Sequence, residues 1–399
     1  MTHAGVNSVS YQQASRDLAA LSDLDIAPKP VERMVRRIGQ ERIDQRDAAV
    51  AAHRRLPLMA KDVVADPKRP CPSLAMVSVD GGRVQMRSDP SRGSGSERTT
   101  HWRESKVAVL ETYHSQVHQA DPDPHVPRCF LDLKRTTELV RGLGHALPLG
   151  LDFASGTPSP TNEATPKGRD RAARPGRPER LVRSVLASRE CADDFGPMMQ
   201  QAAWERNFFG ASRRVFLGDG LPVNWSIRRR HFPSFTPALD FVHALSYVFA
   251  ASFAGRPQSE GVAVYTRWIQ AVWAGQVATI LPELEARSAA LGAPPPECGE
   301  GDPRSQTFEA LRYLRNNAGR MRYDEYRRQG LPIMTSAVES VIKLINKRVK
   351  GSEKFWSEPG AEAILQLRAD YLSETEIMSR YWSAREAQAD GLRPYRRSA

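Results

Sequence analysis

Between Leu331 and Trp356 the chain reads LPIMTSAVESVIKLINKRVKGSEKFW, with one glutamate set among lysines at helical spacing. At 100° per residue, Val338, Val341, Ile342, Ile345 and Val349 form one apolar stripe. Glu339, Lys343, Lys347 and Lys350 share a second face, on the order of 140° away. Thr335 or Ser336 supplies an N-cap and Gly351 a stop. Upstream, two strand-like runs reach Asp-Gly pairs, at Asp80-Gly81 and Asp219-Gly220. The chain thus offers three carboxylates, and hard oxygen donors of this kind suit a divalent cation and metal-dependent cleavage of a phosphodiester. Each also has a plain structural alternative. Glu339 stands four residues before Lys343, an ordinary surface pair, and Asp-Gly is a favoured turn dipeptide.

The composition says what such a site would meet. Lys plus Arg number 57 against 46 Asp plus Glu, giving +11 and a pI near 9.7 over 399 residues, a balance that favours a polyanion over an acidic small molecule. Double-stranded DNA is the expected partner. Cys71, Cys129, Cys191 and Cys298 are scattered, without CxxC pairing or the spacing of a secreted disulfide framework. The start MTHAGVNSVSYQQ lacks a basic-then-apolar signal pattern, and no segment nears the ~20 apolar residues of a membrane span. A cytoplasmic protein without a membrane partner is expected.

The elements needed to position the acids follow from periodicity. Residues 1–60 read as helical, with Leu18, Leu21, Leu24, Val31, Met34, Val35 and Ile38 apolar and a break at Ala27-Pro28-Lys29-Pro30. The second helix carries Arg33, Arg36, Arg37 and Arg42, which suits either a helix-turn-helix or an amphipathic hairpin. Residues 70–120 open a sheet: SLAMVSVDGGRVQMR reads as a hairpin turning at Asp80-Gly81-Gly82, followed by strand WRESKVAVL. Residues 121–180 read as a polar, partly disordered insert. Residues 181–238 resume with strand, helix and strand, placing Asp219 at a strand's carboxyl end, where open α/β sheets bind ligands. A helical block follows at 239–330, then the Glu339 helix and C-terminal helices at 331–385.

In this order the motifs VSVDGGRVQMR, WRESKVAVL, RRVFLGDGLPVNWSI, HFPSFTPALDFVHAL, LRNNAGRMRYDEYRRQGLPIMTSAVESVIKLINKRVKGSEKFW and GAEAILQLRADYL resemble bacterial insertion-sequence transposases of the DDE class, Mutator-like and Kra-type branch. The resemblance spans about three quarters of the chain, Ser73 to about Tyr381. It implies an α/β fold with an RNase H-like mixed-sheet core, interrupted by an all-helical insertion before the glutamate. It also implies that Asp80, Asp219 and Glu339 bind two Mg²⁺ or Mn²⁺ ions, Asp80 bridging them, for DNA cleavage and strand transfer between element ends and target. Asp240-x-x-His243 matches the Cys/Asp-x-x-His motif of Mutator-like relatives and is expected to support the site. A bacterial, nucleoid-associated protein forming a homo-oligomer on DNA is the corresponding expectation. The alternatives are an RNase H-like nuclease or resolvase that does not join, and an inactive DNA-binding derivative.

Weaker clusters complete the reading. Lys343, Lys347, Arg348, Lys350 and Trp356, with Arg36 and Arg37, are candidate DNA contacts. His114, His118, His125 and Cys129 offer zinc donors, but their irregular, Pro-rich spacing fits a solvated loop better. Arg228 to His231 form a basic run that suits phosphates or solvent equally. Trp268, Trp273, Tyr313 and Tyr323 read as core of the helical block.

Overall fold

The structure, a computed structural model, describes residues 1–87, 100–148, 151, 177–334, 336–351 and 354–388, with the side chains of Thr100, Ser336 and Ala337 left aside. Most of the Pro- and Arg-rich stretch expected to be poorly ordered lies outside the described residues, as do Thr335 and the side chain of Ser336.

Five strands form one mixed sheet in the order β3-β2-β1-β4-β5: β1 (Leu74–Arg87), β2 (Thr100–His114), β3 (Glu179–Ser188), β4 (Arg213–Gly218) and β5 (Thr236–Leu239). β2 runs antiparallel to both neighbours, and β1, β4 and β5 are parallel. Strand β1 corrects the hairpin expectation. It continues unbroken through Asp80-Gly81-Gly82, pairing Asp80 with Val107 and Gly82 with Ser105. The Asp-Gly-Gly run is therefore mid-strand. Its glycines suit close cross-strand packing: a Cβ on Gly82 would stand 2.9 Å from Ser105 Oγ. β5, absent from the sequence reading, is only four residues long and contains a proline, tolerable because the strand is at the sheet edge.

The helices are α1 (Thr2–Asn7), α2 (Tyr11–Ser22), α3 (Pro28–Arg55), α4 (Leu58–Lys61), α5 (Leu133–Gly142), α6 (Ala192–Glu205), α7 (Pro222–His231), α8 (Phe241–Phe253), α9 (Gln258–Trp273), α10 (Val277–Leu291), α11 (Pro303–Asn317), α12 (Tyr323–Arg328), α13 (Ser336–Val349), α14 (Glu358–Leu372) and α15 (Ile377–Ala387). Side-chain alternation along β2 shows how they cover the sheet. Ala108 and Leu110 join one buried cluster, while Val107 and Val109 join another with α3, α13 and α14. Helices thus pack on both faces, α6 and α7 on one side, α13 and α14 on the other.

The N-terminal helices belong to this packing. Gly39 of α3 lets the helix approach α14 so closely that a Cβ would lie 2.6 Å from that of Ala363 and 2.9 Å from its backbone. Arg42, read as a basic groove residue, instead bonds the buried Asp370 at 2.9 Å. Arg36 and Arg37 stay exposed and face Glu32 and Glu41 on their own helix. Leu21 and Leu24 are exposed rather than core, because α2 ends at Ser22 and turns away through Asp23 in the left-handed region (φ 52°). The stretch after β2 is also more structured than its polarity suggests. Val126, Phe130 and Val140 are buried, Arg327 holds Asp121, and Trp273 Nε1 donates to the Asp123 carbonyl. Here a few apolar anchors outweigh the surrounding polar residues. Among the described residues no helix is long and apolar enough to cross a membrane.

Candidate active site

Asp80, Asp219 and Glu339 line one cavity of about 1090 Å³, together with His243. The sheet places two of these acids. In the parallel pairing Ser78 lies opposite Leu217, so two residues further on Asp80 comes level with Asp219, just past the carboxyl end of β4. The same reasoning extends to β5: Gly218 lies opposite Leu239, and the next pair is Asp219 and Asp240. Three aspartates thus stand at one register on adjacent parallel strands, whose spacing is about 4.8 Å.

Each is held differently. Asp80 Oδ1 accepts from Gly81 N at 2.6 Å. Asp219 Oδ1 accepts from Leu221 N at 3.0 Å and from Asn224 Nδ2 at 2.9 Å, fixing the carboxylate against the first turn of α7. Asp240 is fully buried and caps α8, accepting from Val242 N at 2.6 Å and His243 N at 3.2 Å. Its role is thereby partly structural. Gly220, at φ +99°, permits the turn after Asp219, and a Cβ there would stand 2.5 Å from the Tyr313 ring.

The fourth wall is α13. Val338, Val341, Ile345 and Val349 pack inward as the periodicity requires. Ile342 is half-buried and lines the cavity with Glu339, Lys343 and Asn346. Two residues of this region lie elsewhere than expected. Arg348 is buried, donates to the Gly5 carbonyl at 3.1 and 3.2 Å, and lies over the rings of Tyr11 and Trp356. Trp356 is buried too, its Nε1 bonded to the Val349 carbonyl and its backbone bridged to β1. Neither is placed to touch DNA, because both close the seam between α13, the N-terminus and β1. Lys347 is exposed outside the cavity, and Lys350 is half-buried with a pKa lowered by burial and by nearby Arg83.

Electrostatics perturb the acids that line the cavity. Burial, and next the like charge of Asp219, push the Asp80 pKa up to about 6, with Glu339 adding to the rise and Gly81 N–H and His243 opposing it. Glu339 is also raised, by burial and then by Asp240, against His243 and Lys343. Burial disfavours the His243 cation, yet Asp240, Asp219 and Asp80 together carry its pKa up to about 9. Its Nδ1 lies 3.6 Å from Asp240 Oδ1, an ion-pair rather than a hydrogen-bond separation, and is a buried atom without a hydrogen-bond partner among the described residues. An imidazolium therefore stands among the carboxylates. Among the described residues no three His, Cys, Asp or Glu side chains are gathered tightly enough to enclose an ion. The donor set still fits Mg²⁺ or Mn²⁺: such ions take oxygen ligands, are commonly held by one or two carboxylates and keep several waters. Asp80 and Asp219 would hold the cation, with Glu339 approaching from α13.

Sequence reasoning missed Trp225, Tyr247, Tyr313 and Arg320 on the cavity wall, and the buried Asn224 that bonds Asp219. Tyr313, read as insertion core, donates to the Asp219 carbonyl at 2.6 Å and stacks on Tyr247 at 3.8 Å. Tyr247 lies one helical turn after His243, a spacing that was readable. Of the basic run after Asp219, Arg228 bonds the carbonyls of Pro233 and Phe235, Arg230 pairs with Asp193, and His231 packs on Gly196; only Arg229 reaches the cavity. Trp268, Trp273 and Tyr323 are core. His114, His118, His125 and Cys129 form no metal-binding group among the described residues.

No protein-family model matches the chain, and no characterised protein is similar enough to count as a relative.

Proposed function

We propose that the chain is a divalent-cation-dependent enzyme of DNA strand cleavage and strand transfer, a DDE transposase built on an RNase H-like core. The observation that carries this reading is the convergence of Asp80, Asp219 and Glu339 on one cavity although 259 residues separate the first from the last (339 − 80). The mixed sheet, with Asp80 within β1 and Asp219 just past the end of β4, and the helical block standing between Asp240 and the Glu339 helix, agree with what the resemblance implies. The +11 net charge suits DNA.

When bound, the cations would polarise the scissile phosphate and stabilise the entering and leaving oxygens. Asp80 and Asp219 supply oxygens from a rigid sheet edge, Asn224 and Tyr313 hold the Asp219 segment in place, and Asp240 fixes the helix that carries His243. Double-stranded DNA is the partner, and a homo-oligomer on DNA would bring two ends together.

The test is Glu339→Gln, which keeps size and removes the charge. With Mg²⁺ or Mn²⁺ and a duplex carrying the element's ends, nicking and joining should both fall by about 100-fold or more, while DNA affinity holds or rises. Near-normal cleavage by the folded variant would remove Glu339 from the reaction. Nicking without joining by the wild-type chain would favour a hydrolytic nuclease.

A further inference from the structure

The cavity carries cations as well as acids, and two of the four Lys and Arg side chains lining it have a carboxylate partner or neighbour on their own helix. Arg312 pairs with Glu309, and Lys343 lies one turn from Glu339. Two are not matched. Arg229 and Arg320 meet no carboxylate at ion-pair distance among the described residues. Arg320 comes from the short 3-10 turn Ala318–Arg320 that follows α11, and its Nη1 bonds only the Asn316 carbonyl at 3.1 Å and Asn317 Oδ1 at 3.0 Å.

Trp225 relates these two arginines to the acids. Its indole packs against Gly218, the residue before Asp219, where a Cβ would lie 3.2 Å from the ring. The Arg320 guanidinium lies over the same ring, 4.5 Å from its centroid. Arg229 follows Trp225 by four residues on α7 and so projects from the same helix face. Trp225 Nε1 is buried and without a hydrogen-bond partner among the described residues. Burial, then the charges of Arg229 and Arg228, lower the pKa of Arg320. Like charges packed at a cavity wall without a counter-ion are at a cost that an anion would relieve.

We propose that Arg229 and Arg320, arranged about Trp225, form a phosphate subsite that takes a backbone phosphate of the nucleic-acid strand next to the one presented to Asp80 and Asp219. This rests on the nucleic-acid reading above and adds to it the residues that set the strand's register. Arg320 belongs to the helical block and Arg229 to the helix after β4, so the subsite spans both parts and a bound strand would tie them together.

The test measures DNA binding by the full chain against salt for wild type, Arg229→Gln, Arg320→Gln and Arg229→Lys. The control is Arg315→Gln, an exposed residue of α11 outside the cavity, paired with Glu285. A parallel scan replaces single phosphates in the duplex by uncharged methylphosphonate. Loss of either arginine should weaken binding roughly ten-fold and lower the salt slope by about one, with Arg229→Lys restoring much of it and Arg315→Gln leaving it unchanged. One methylphosphonate position beside the cut should weaken wild type but cost Arg229→Gln nothing further. Arg229 is exposed, so its variant remains informative if Arg320→Gln fails to fold. Wild-type binding with an unchanged slope and an unchanged methylphosphonate profile in Arg229→Gln overturns the subsite alone. Absence of salt-dependent DNA binding by wild type overturns the proposed function with it.

Discussion

Asp80, inside β1, comes level with Asp219, just past the end of the neighbouring parallel strand β4, two residues beyond the Ser78–Leu217 pair. Extending the register of the ladder by two residues thus brings two half-buried aspartates onto neighbouring chain segments. Nothing in the local sequence of either residue requires this. It follows from β4 being inserted beside β1 rather than beside β3, its predecessor in the chain.

The pair sets a pH window. The Asp80 pKa rises from the ordinary 3.8 to about 6 in the fold, so the neutral form is favoured there. Its contribution is fully present below about pH 4 and is lost as pH climbs through 6, at a cost of about 3 kcal/mol well above that. Asp80→Asn should raise the melting temperature of the metal-free protein at pH 7.5 but not at pH 4. Stabilisation by millimolar Mg²⁺ or Mn²⁺ should emerge as pH passes 6 and vanish in the variant. Thermal melts against pH, with and without cation, check both; stabilisation by cation that ignores pH would count against Asp80 as a ligand.

His243 works in the opposite sense. With its pKa raised to about 9, its ion pair with Asp240 contributes fully below about pH 6.5 and is lost as pH rises through 9. The shift as a whole, to which Asp219 and Asp80 add, amounts to on the order of 2–3 kcal/mol at neutral pH. His243→Gln should flatten the decline of stability between pH 7 and 9.5, and leave the buried Asp240 without its cation. Denaturant titrations across that range read the slope directly.

Asn224 and Tyr313 test positioning. Asn224→Leu removes the bond that fixes Asp219 Oδ1, while Tyr313→Phe removes only the hydroxyl on the Asp219 carbonyl and keeps the stack on Tyr247. We expect kcat for nicking to fall about 10- to 100-fold for Asn224→Leu and about 3- to 10-fold for Tyr313→Phe, with KM for DNA little changed. Both should require more Mg²⁺ for half-maximal rate. A loss confined to KM would instead make them DNA contacts.

Gly39 tests the scaffold. Because the clash of a new Cβ is with the Ala363 backbone, neither helix has a flexible side chain to move aside. Gly39→Ala should cost about 1–3 kcal/mol despite its better helix propensity, and Gly39→Leu more. Chemical denaturation gives the value; a stabilised Gly39→Ala would mean the α3 and α14 contact is loose.

What could be read in advance divides along physical lines. The inward stripe of α13 and strands β2 to β4 were legible, because each rests on local periodicity. Asp80 was legible as a candidate acid but its setting was not: Asp-Gly-Gly reads as a hairpin turn and also serves mid-strand where a neighbour packs close, and only the register with β2 decides between the two. Arg348 and Trp356 were misplaced because burial of a charged or amphipathic side chain depends on partners far away, here Gly5 and Tyr11. Tyr313 and Arg320 were invisible as site residues, since their meeting with Asp219 and Trp225 is made by the return of the helical block over the sheet edge.

The placement of β4 also has a consequence for how the molecule is made. β1 begins at Leu74 and its parallel partner at Arg213, 139 residues later (213 − 74). At about 5–20 residues per second of synthesis, the run Leu74–Val77 waits roughly 7–28 s with one edge unpaired. An open apolar edge at the centre of the future sheet is a template for pairing with other chains. A chaperone that binds extended apolar segments should therefore raise the yield of folded protein more than any change at the cavity. Stalled chains ending before β4 should be the species found in aggregates.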